Sequence, residues 1–570
     1  MGQFGEPCKI PRRAISTEVY NQGVPVLANY GFIIDNRKCI GCHACTVACK
    51  SEHEVPVGVN RTWVKYIEKG EFPNSRRLFS VMRCNHCTNA PCVEICPVSA
   101  LYYRKDGIVD FDHRRCIGCK ACMQACPYDA LYINPETSTA AKCNYCAHRI
   151  DIGLEPACVN VCPTQAIISG DLDNPDSQIS KLRSREQVSV RKPEKGTLPT
   201  LFYIEGDGAS LDPAENEVNS ETMWGKQVAG VGHYARFQAH GKDGGHGSDA
   251  LSQFLSLGES TEVYQPENAD AKYRMKAELV RQEIQTHSRR SYDAPSKGVL
   301  WGWLVTCYLW TKAISAGVCI ITMSAVASGI GVASLEVEWL SVVLALVFLG
   351  LTGMFLTADL DQPKRFLYVL LRPQWRSWLV RGAYIITAYA GLLSVWCVLA
   401  LISHTWASIL AVPLIILAAL TAIYTAFLFA QAKGRDFWQN PVLPIHMLVH
   451  AIMAGGACLT FTLPFTAEGW QVWVRMSLIF AIIAKLACDM FELWTKHPTR
   501  DTDRAVKMIF GGRYSTLYWV FVFLLGSIVP FVIAWIMPTA MMPVAGILLL
   551  IGVYVSEHIW VHAPQRIPLA

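Results

Sequence analysis

The sequence predicts a multidomain protein in which a cysteine-rich α+β domain is followed by an all-α bundle of eight transmembrane helices. Three observations carry this prediction. Of the 22 cysteines in the 570 residues, 16 fall between Cys39 and Cys162. After Lys297, apolar runs of roughly 20 residues recur, the length a helix needs to cross a hydrocarbon core. Most of the charge precedes residue 298, in a chain that is 52% hydrophobic and 17% charged. That balance excludes an ordinary soluble enzyme and a disordered chain alike. The formal net charge of +5, from 51 basic and 46 acidic residues, is too mild to point to a nucleic-acid partner.

Residues 1–36 read as an N-terminal tail. They hold Arg12-Arg13 but no following apolar run, so no export signal is expected there. Residues 37–205 form the cysteine domain. Between 206 and 297 the composition turns to Gly, Asp, Glu, His and Ser, which suits a polar tether or an arm that orders on a partner. A stretch at about Asn268–Thr286 is helix-permissive. Residues 298–565 make the membrane domain, with spans expected at 299–331, 339–358, 378–402, 407–431, 442–463, 470–493, 517–537 and 541–562. Lipid offers no water to backbone groups, so each span must be a helix.

The loops differ in charge. Lys364, Arg365, Arg372, Arg376, Arg381, Lys433, Arg435, Lys496, Arg500, Arg504, Lys507 and Arg513 share one side with the cysteine domain. The opposite loops, near 335, 404, 467 and 540, hold no Lys or Arg, and only Arg475 lies close to that face. The positive-inside rule then puts the cysteine domain in the cytoplasm of a bacterial or archaeal cell, as part of a multi-pass protein of the cytoplasmic membrane. A periplasmic domain is the alternative, because some of these charges could serve a docked partner or a quinone.

The cysteines fall into four groups. Cys39-x2-Cys42-x2-Cys45-x3-Cys49 and Cys116-x2-Cys119-x2-Cys122-x3-Cys126-Pro follow the bacterial ferredoxin run, in which the fourth cysteine ligates the other cluster of a pair. Cys84-x2-Cys87-x4-Cys92-x3-Cys96-Pro widens the middle slightly, and Cys143-x2-Cys146-x11-Cys158-x3-Cys162-Pro widens it much further. Lys50 replaces the proline after Cys49, which changes the local turn but no ligand. Sixteen cysteines in such groups equal the ligands of four [4Fe–4S] clusters, on a bacterial-ferredoxin-like iron–sulfur fold. Structural zinc lacks this three-in-a-row spacing, and disulfides do not suit a reducing compartment. Cys8, Cys307, Cys319, Cys397, Cys458 and Cys488 read as small packing residues.

On these motifs, residues 37–205 resemble the four-cluster electron-transfer subunits of the dimethyl sulfoxide reductase and polysulfide reductase type. Gly170-Asp-Leu-Asp-Asn-Pro-Asp-Ser and Lys192-Pro-Glu-Lys-Gly-Thr add to the likeness. The resemblance implies the ligand sets Cys39/Cys42/Cys45/Cys162, Cys143/Cys146/Cys158/Cys49, Cys84/Cys87/Cys92/Cys126 and Cys116/Cys119/Cys122/Cys96. Residues 298–565 resemble the NrfD/polysulfide-reductase membrane anchor through Trp301-Gly-Trp303, Tyr308-Leu-Trp-Thr-Lys312, Asp359-Leu-Asp-Gln-Pro-Lys-Arg365-Phe, Arg372-Pro-Gln-Trp-Arg-Ser-Trp378 and Asp436-Phe-Trp-Gln-Asn-Pro441. That family is haem-free and binds quinone or menaquinone, as an exchangeable substrate, near the iron–sulfur face. It normally divides these parts between two polypeptides, whereas here they are fused.

Ionisable residues inside spans are costly and mark polar interiors. Lys312 sits deep in the first span. Lys485, Asp489 and Glu492 share one stripe of the sixth, and His446 and His450 stand one turn apart on the fifth. A quinone head needs hydrogen-bonding groups and a proton source, so the candidates are Lys312, Asp359, Arg365, Tyr384, His446, His450 and Asp489. Each has a structural alternative: the histidines pack, cap or hold a metal, Lys485–Asp489 is a buried ion pair, and the arginines anchor the interface. No Walker loop, placed dinucleotide fingerprint or nucleophile elbow occurs in the soluble half. Substrate catalysis is therefore expected on a partner, which the resemblance implies to be a molybdenum or tungsten bis-pterin (molybdopterin-type) oxidoreductase subunit. The rival readings are a quinol subunit of a larger cytochrome-containing respiratory complex, which covalent haem on co-purification would reveal, and a transporter with a cluster sensor, which quinone-dependent cluster oxidation would exclude.

Overall fold

The computed structural model describes residues 28–70, 74–215, 288–294, 296–329, 333–494 and 499–570. Cys8, Arg12-Arg13, most of the polar tether with its helix-permissive stretch, and Lys496 lie outside the described residues.

Each cysteine group feeds a short helix, because ligands spaced by two residues must curl the backbone back on itself. These helices are Ala44–Glu52, Pro91–Ile95, Ala121–Ala125 and Ala157–Asn160. The two Cys-Ile-Gly-Cys loops repeat each other residue by residue: Gly41 and Gly118 both have φ +72°, and His43 and Lys120 both have φ +59°. Two hairpins flank the second and third groups. One pairs β4 (Leu101–Tyr103) with β5 (Val109–Phe111), the other β6 (Leu131–Asn134) with β7 (Thr139–Lys142).

A four-stranded sheet runs β8–β1–β10–β9, with β1 (Tyr30–Asp35) between β8 (Ile167–Asp171) and β10 (Leu201–Ile204), and β9 (Val188–Ser189) at the edge. A second sheet runs β11–β2–β3, from β2 (Thr62–Lys69), β3 (Arg76–Arg83) and β11 (Ser288–Tyr292). Two strands thus come from segments that composition assigns elsewhere. β1 precedes residue 37, and β11 ends the polar stretch before residue 298. β1 (YGFIID) is a short apolar run and β11 (SRRSY) a polar one, and both become strands beside pairing partners far away in sequence.

Among the described residues, seven helices are long and apolar enough to cross a membrane: α1 (Trp303–Ala327), α2 (Leu335–Ala358), α3 (Trp378–Ile402), α4 (Ala411–Gln431), α5 (Leu443–Phe465), α7 (Leu517–Ile536) and α8 (Thr539–Gln565). Between α5 and α7 lies α6 (Glu468–Trp494), which is 27 residues long and carries Arg475, Lys485, Asp489 and Glu492. The central helix is α1, whose apolar window is 78% buried against 17% for α3. Small residues let backbones touch. A Cβ on Gly317 of α1 would collide with the Ala451 carbonyl of α5, and one on Gly455 with the Gly317 backbone.

The two halves dock tightly. Asp361 and Gln362, just past α2, donate backbone N–H groups to the carbonyls of Gly118 (3.5 Å) and Ile117 (3.2 Å). Lys120 pairs with Asp361 at 2.9 Å. Arg435 donates to Gln124 Oε1 (3.0 Å) and to the carbonyls of Pro564 and Ile567. Lys195 pairs with Asp436. The last residues tuck under the cysteine domain, where the Leu569 carbonyl accepts from Arg191 and Ala570 packs with Trp63 and Met82.

Candidate functional site

The fold gathers the cysteines into four sets of four. Cys39, Cys42, Cys45 and Cys162 line one cavity of about 310 Å3, and Cys84, Cys87, Cys92 and Cys126 line a second of the same size. Cys96, Cys116, Cys119 and Cys122 line a third, of about 400 Å3. Cys49 stands within electrostatic reach of Cys143, Cys146 and Cys158, which complete the fourth set. Each set takes one thiol from a different group than the other three, so group one interlocks with four and two with three.

These sites fit a polynuclear iron–sulfur group. Among the described residues no three His, Cys, Asp or Glu side chains converge closely enough for a single metal ion, whereas four thiols ring a space of cluster size. Burial pushes the Cys45 and Cys84 thiols up to about 11, so their deprotonation calls for a bound metal. The described cysteines form no disulfides. Backbone N–H groups already point at several sulfurs: Ala100 at Cys96 (3.2 Å), Ala140 at Cys116 (3.4 Å) and Ala166 at Cys162 (3.3 Å). His53 Nε2 lies 3.2 Å from Cys146 Sγ, and burial together with Arg61 pushes its imidazole down to about 4.

Directly beneath the third cavity lies a fourth, of about 680 Å3, inside the membrane domain. Its walls are apolar, from Trp301, Val305, Leu356, Leu360, Phe366, Val369, Leu379, Leu428 and Phe429, with Tyr308, Tyr424 and Asp359 as polar groups. Cys119 and Ile117 line both this cavity and the one holding Cys96, Cys116 and Cys122. Trp301 fixes the contact by donating Nε1–H to the Cys119 carbonyl at 3.1 Å. Asp359 ends α2 beside Lys120, which donates to its carbonyl at 3.2 Å. Burial pushes the Asp359 carboxyl up to about 6, with Lys120 pulling the other way.

Of the seven residues that the sequence singles out for a quinone, Asp359 lines this cavity. Lys312 stands one layer behind it. Its Nζ donates to Thr425 Oγ1 and to the Ala422 carbonyl (3.1 Å), 4.8 Å from the Tyr424 ring and 5.8 Å from that of Tyr308. His446, His450 and Asp489 belong to a separate polar core between α5, α6 and α8. There Glu492 Oε2 bonds His446 Nδ1 (2.7 Å), His446 Nε2 meets His450 Nε2 (2.8 Å), and His450 Nδ1 bonds Glu557 Oε1 (2.9 Å). Asp489 pairs with Lys485 at 2.5 Å. Glu557 and Lys312 lie within electrostatic reach, which joins this chain of groups to the cavity wall.

Arg365 turns the other way and donates to the carbonyls of His113 (2.8 Å) and Cys116 (2.9 Å) in the cysteine domain. Tyr384 donates to the Leu370 carbonyl (2.9 Å) and packs against Trp375. Tyr308 and Tyr424 are cavity residues that sequence reasoning misses. Tyr308 precedes Lys312 by one helical turn, a spacing that could have flagged it. For Tyr424, in a run of apolar and small residues, no such signal exists.

The fold and these sites define an iron–sulfur electron-transfer protein built onto a membrane-embedded helical anchor. Comparison with known proteins agrees for both halves. Residues 76–172 match the family model described as 4Fe-4S dicluster domain, and residues 293–567 match that described as Polysulphide reductase, NrfD. The cysteine half is similar to a tetrathionate reductase subunit of Salmonella typhimurium (47% identical, covering 32% of this chain and 75% of that protein). It is also similar to a polysulfide reductase component of Wolinella succinogenes (43%, covering 31% and 93%) and to NrfC of Escherichia coli (42%, covering 31% and 80%). The chain belongs to this family of iron–sulfur reductase subunits, fused in one polypeptide to an NrfD-type membrane anchor.

Proposed function

We propose that this chain is the electron-transfer subunit of a respiratory oxidoreductase, linking a quinone bound in the membrane cavity to a partner subunit that performs substrate chemistry. The observation that carries the reading is Cys119, which lines both the membrane cavity and a four-cysteine site. In this reading each of the four cysteine sets holds one [4Fe–4S] cluster, partitioned as Cys39/Cys42/Cys45/Cys162, Cys49/Cys143/Cys146/Cys158, Cys84/Cys87/Cys92/Cys126 and Cys96/Cys116/Cys119/Cys122. Such a cluster, when bound, supplies one-electron transfer at a potential tuned by its surroundings.

The protein's own groups supply the rest. The apolar wall takes the quinone ring and tail, as expected of a pocket with few convergent polar groups. The hydroxyls of Tyr308 and Tyr424 and the carboxyl of Asp359 hold the quinone oxygens. Reduction consumes two protons with the two electrons, and Lys312, Glu557, His450, His446 and Glu492 form the reserve from which protons reach the two tyrosines. The helix α6 serves as the sixth of eight spans, its charged residues turned into the bundle. The lysine- and arginine-rich face, with the cysteine domain, lies in the cytoplasm of a bacterial or archaeal cell. Relatives are named as subunits of tetrathionate, polysulfide and arsenate reductases. We therefore read the partner as a reductase catalytic subunit of the molybdenum or tungsten bis-pterin kind.

Low-temperature EPR of the purified complex tests this. Reduction of cluster signals by a menaquinol analogue, blocked by a quinone-site inhibitor, is the expected result. If only dithionite reduces them and added menaquinone leaves the reduced protein unoxidised, the quinone assignment fails.

A further inference from the structure

Two wholly buried cations stand between the cysteine sets and take no part in quinone chemistry or ligation. Arg83 ends β3 with no exposed surface. Its Nη1 donates to Cys158 Sγ at 3.0 Å, and its guanidinium lies 4.7 Å over the Phe32 ring. Its Nε and Nη2 meet no acceptor among the described residues. The thiols it faces are Cys158, Cys143 and Cys45. Cys45 comes from one set and the other two from its neighbour, so the cation straddles the junction. Lys142, the last residue of β7, is likewise fully buried and donates to the carbonyls of Val109 and Cys143 (2.9 Å). It faces Cys84 and Cys92 on the far side, which puts it at the next junction.

A guanidinium stays protonated in proteins. Burying it with two nitrogens unpaired is strongly unfavourable unless negative charge stands beside it. Neutral thiols supply none. Iron–sulfur cores held by four thiolates are net anionic, and they gain a further negative charge on reduction. The orphaned nitrogens of Arg83 therefore have their counter-charge only when both neighbouring sites are filled.

We propose that Arg83 is a shared counter-cation that raises the reduction potentials of the two clusters it separates and lessens the repulsion between electrons held on them, and that Lys142 does the same at the following junction. The inference rests on the four-cluster reading. These are positioning residues, since they act through the groups they flank, and charge and hydrogen bonds to sulfur are established controls of cluster potential.

EPR-monitored redox titration of the intact complex tests it, with iron content measured alongside. Arg83→Met is expected to lower the midpoints of two centres by at least a tenfold change in their reduction constants, which is about 59 mV for one electron. The other two should stay put, and Arg83→Lys should keep most of the wild-type values. Lys142→Met is expected to lower a different pair that shares one member with the first. Unchanged midpoints at full iron content, or an equal shift of every centre, would overturn the proposal. Should Arg83→Met lose iron, Lys142→Met decides on the same terms. A wild-type protein lacking four centres would instead defeat the cluster reading itself, which the iron content reveals separately.

Discussion

At the scale of single residues, Cys119 is the point where the soluble and membrane parts share a wall. On the four-cluster reading, replacing it by Ser removes one of the four thiols of its set and should cost that cluster, so bound iron should fall from about 16 to about 12 atoms per chain. Electron entry from quinol should stop altogether, although dithionite would still reduce the remaining centres. Metal analysis and EPR check both. Tyr308→Phe and Asp359→Leu each take one polar group from the cavity. Each is expected to slow quinol-driven reduction about tenfold, the worth of one hydrogen bond of roughly 1.4 kcal/mol, with iron content unchanged. Stopped-flow absorbance reads this directly. Arg365→Ala should affect docking rather than quinone affinity, because its guanidinium is spent on the His113 and Cys116 carbonyls.

At the scale of elements, close approach sets the arrangement. In the Cys116-Ile117-Gly118-Cys119 loop, Gly118 sits at φ +72°, and a Cβ there would lie 2.6 Å from that of Asp361. The sister glycine, Gly41, has the same backbone but meets Phe79 instead. Gly118→Ala therefore strains the loop and pushes the anchor away, and it should lower thermal stability by about 1–3 kcal/mol, the usual cost of overpacking. Gly317→Val should do comparable damage inside the bundle by separating α1 from α5, read as a lower temperature of aggregation in detergent. The cysteine spacing of both loops was visible in the sequence. What each glycine touches was not, since Asp361 lies far along the chain from Gly118, in the membrane half.

At the scale of the whole molecule, the charge asymmetry of the loops has two origins. Arg365 and Arg435 hold the two halves together, so part of the positive excess is interface rather than topology signal. Lys364 and Arg513 make no such contact among the described ion pairs and still lie on that side. Protease added to inverted vesicles should cut the cysteine domain and leave the opposite loops near 467 and 540 intact, while right-side-out cells should give the reverse. The opposite pattern would place the domain in the periplasm.

Covalent spacing along the chain was enough for the four cysteine groups, the identity of all sixteen candidate ligands and the positions of the apolar helices, because ligand loops and hydrophobic runs are local properties. Resemblance to known subunits supplied the pairing of groups that the proposed function adopts. Everything that depends on two distant segments meeting had to await the fold. β1 and β11 are strands only beside their partners, Tyr424 matters only because α4 faces α1, and Arg83 is significant only because Cys45 and Cys158 converge on it. The seven polar candidates in and beside the spans looked alike in sequence, since any buried charge in a helix is conspicuous. Tertiary packing separated them into a cavity wall, a hydrogen-bonded chain behind it and a set of docking contacts, since hydrogen bonds and ion pairs act only over a few ångströms and depend on which helices are neighbours.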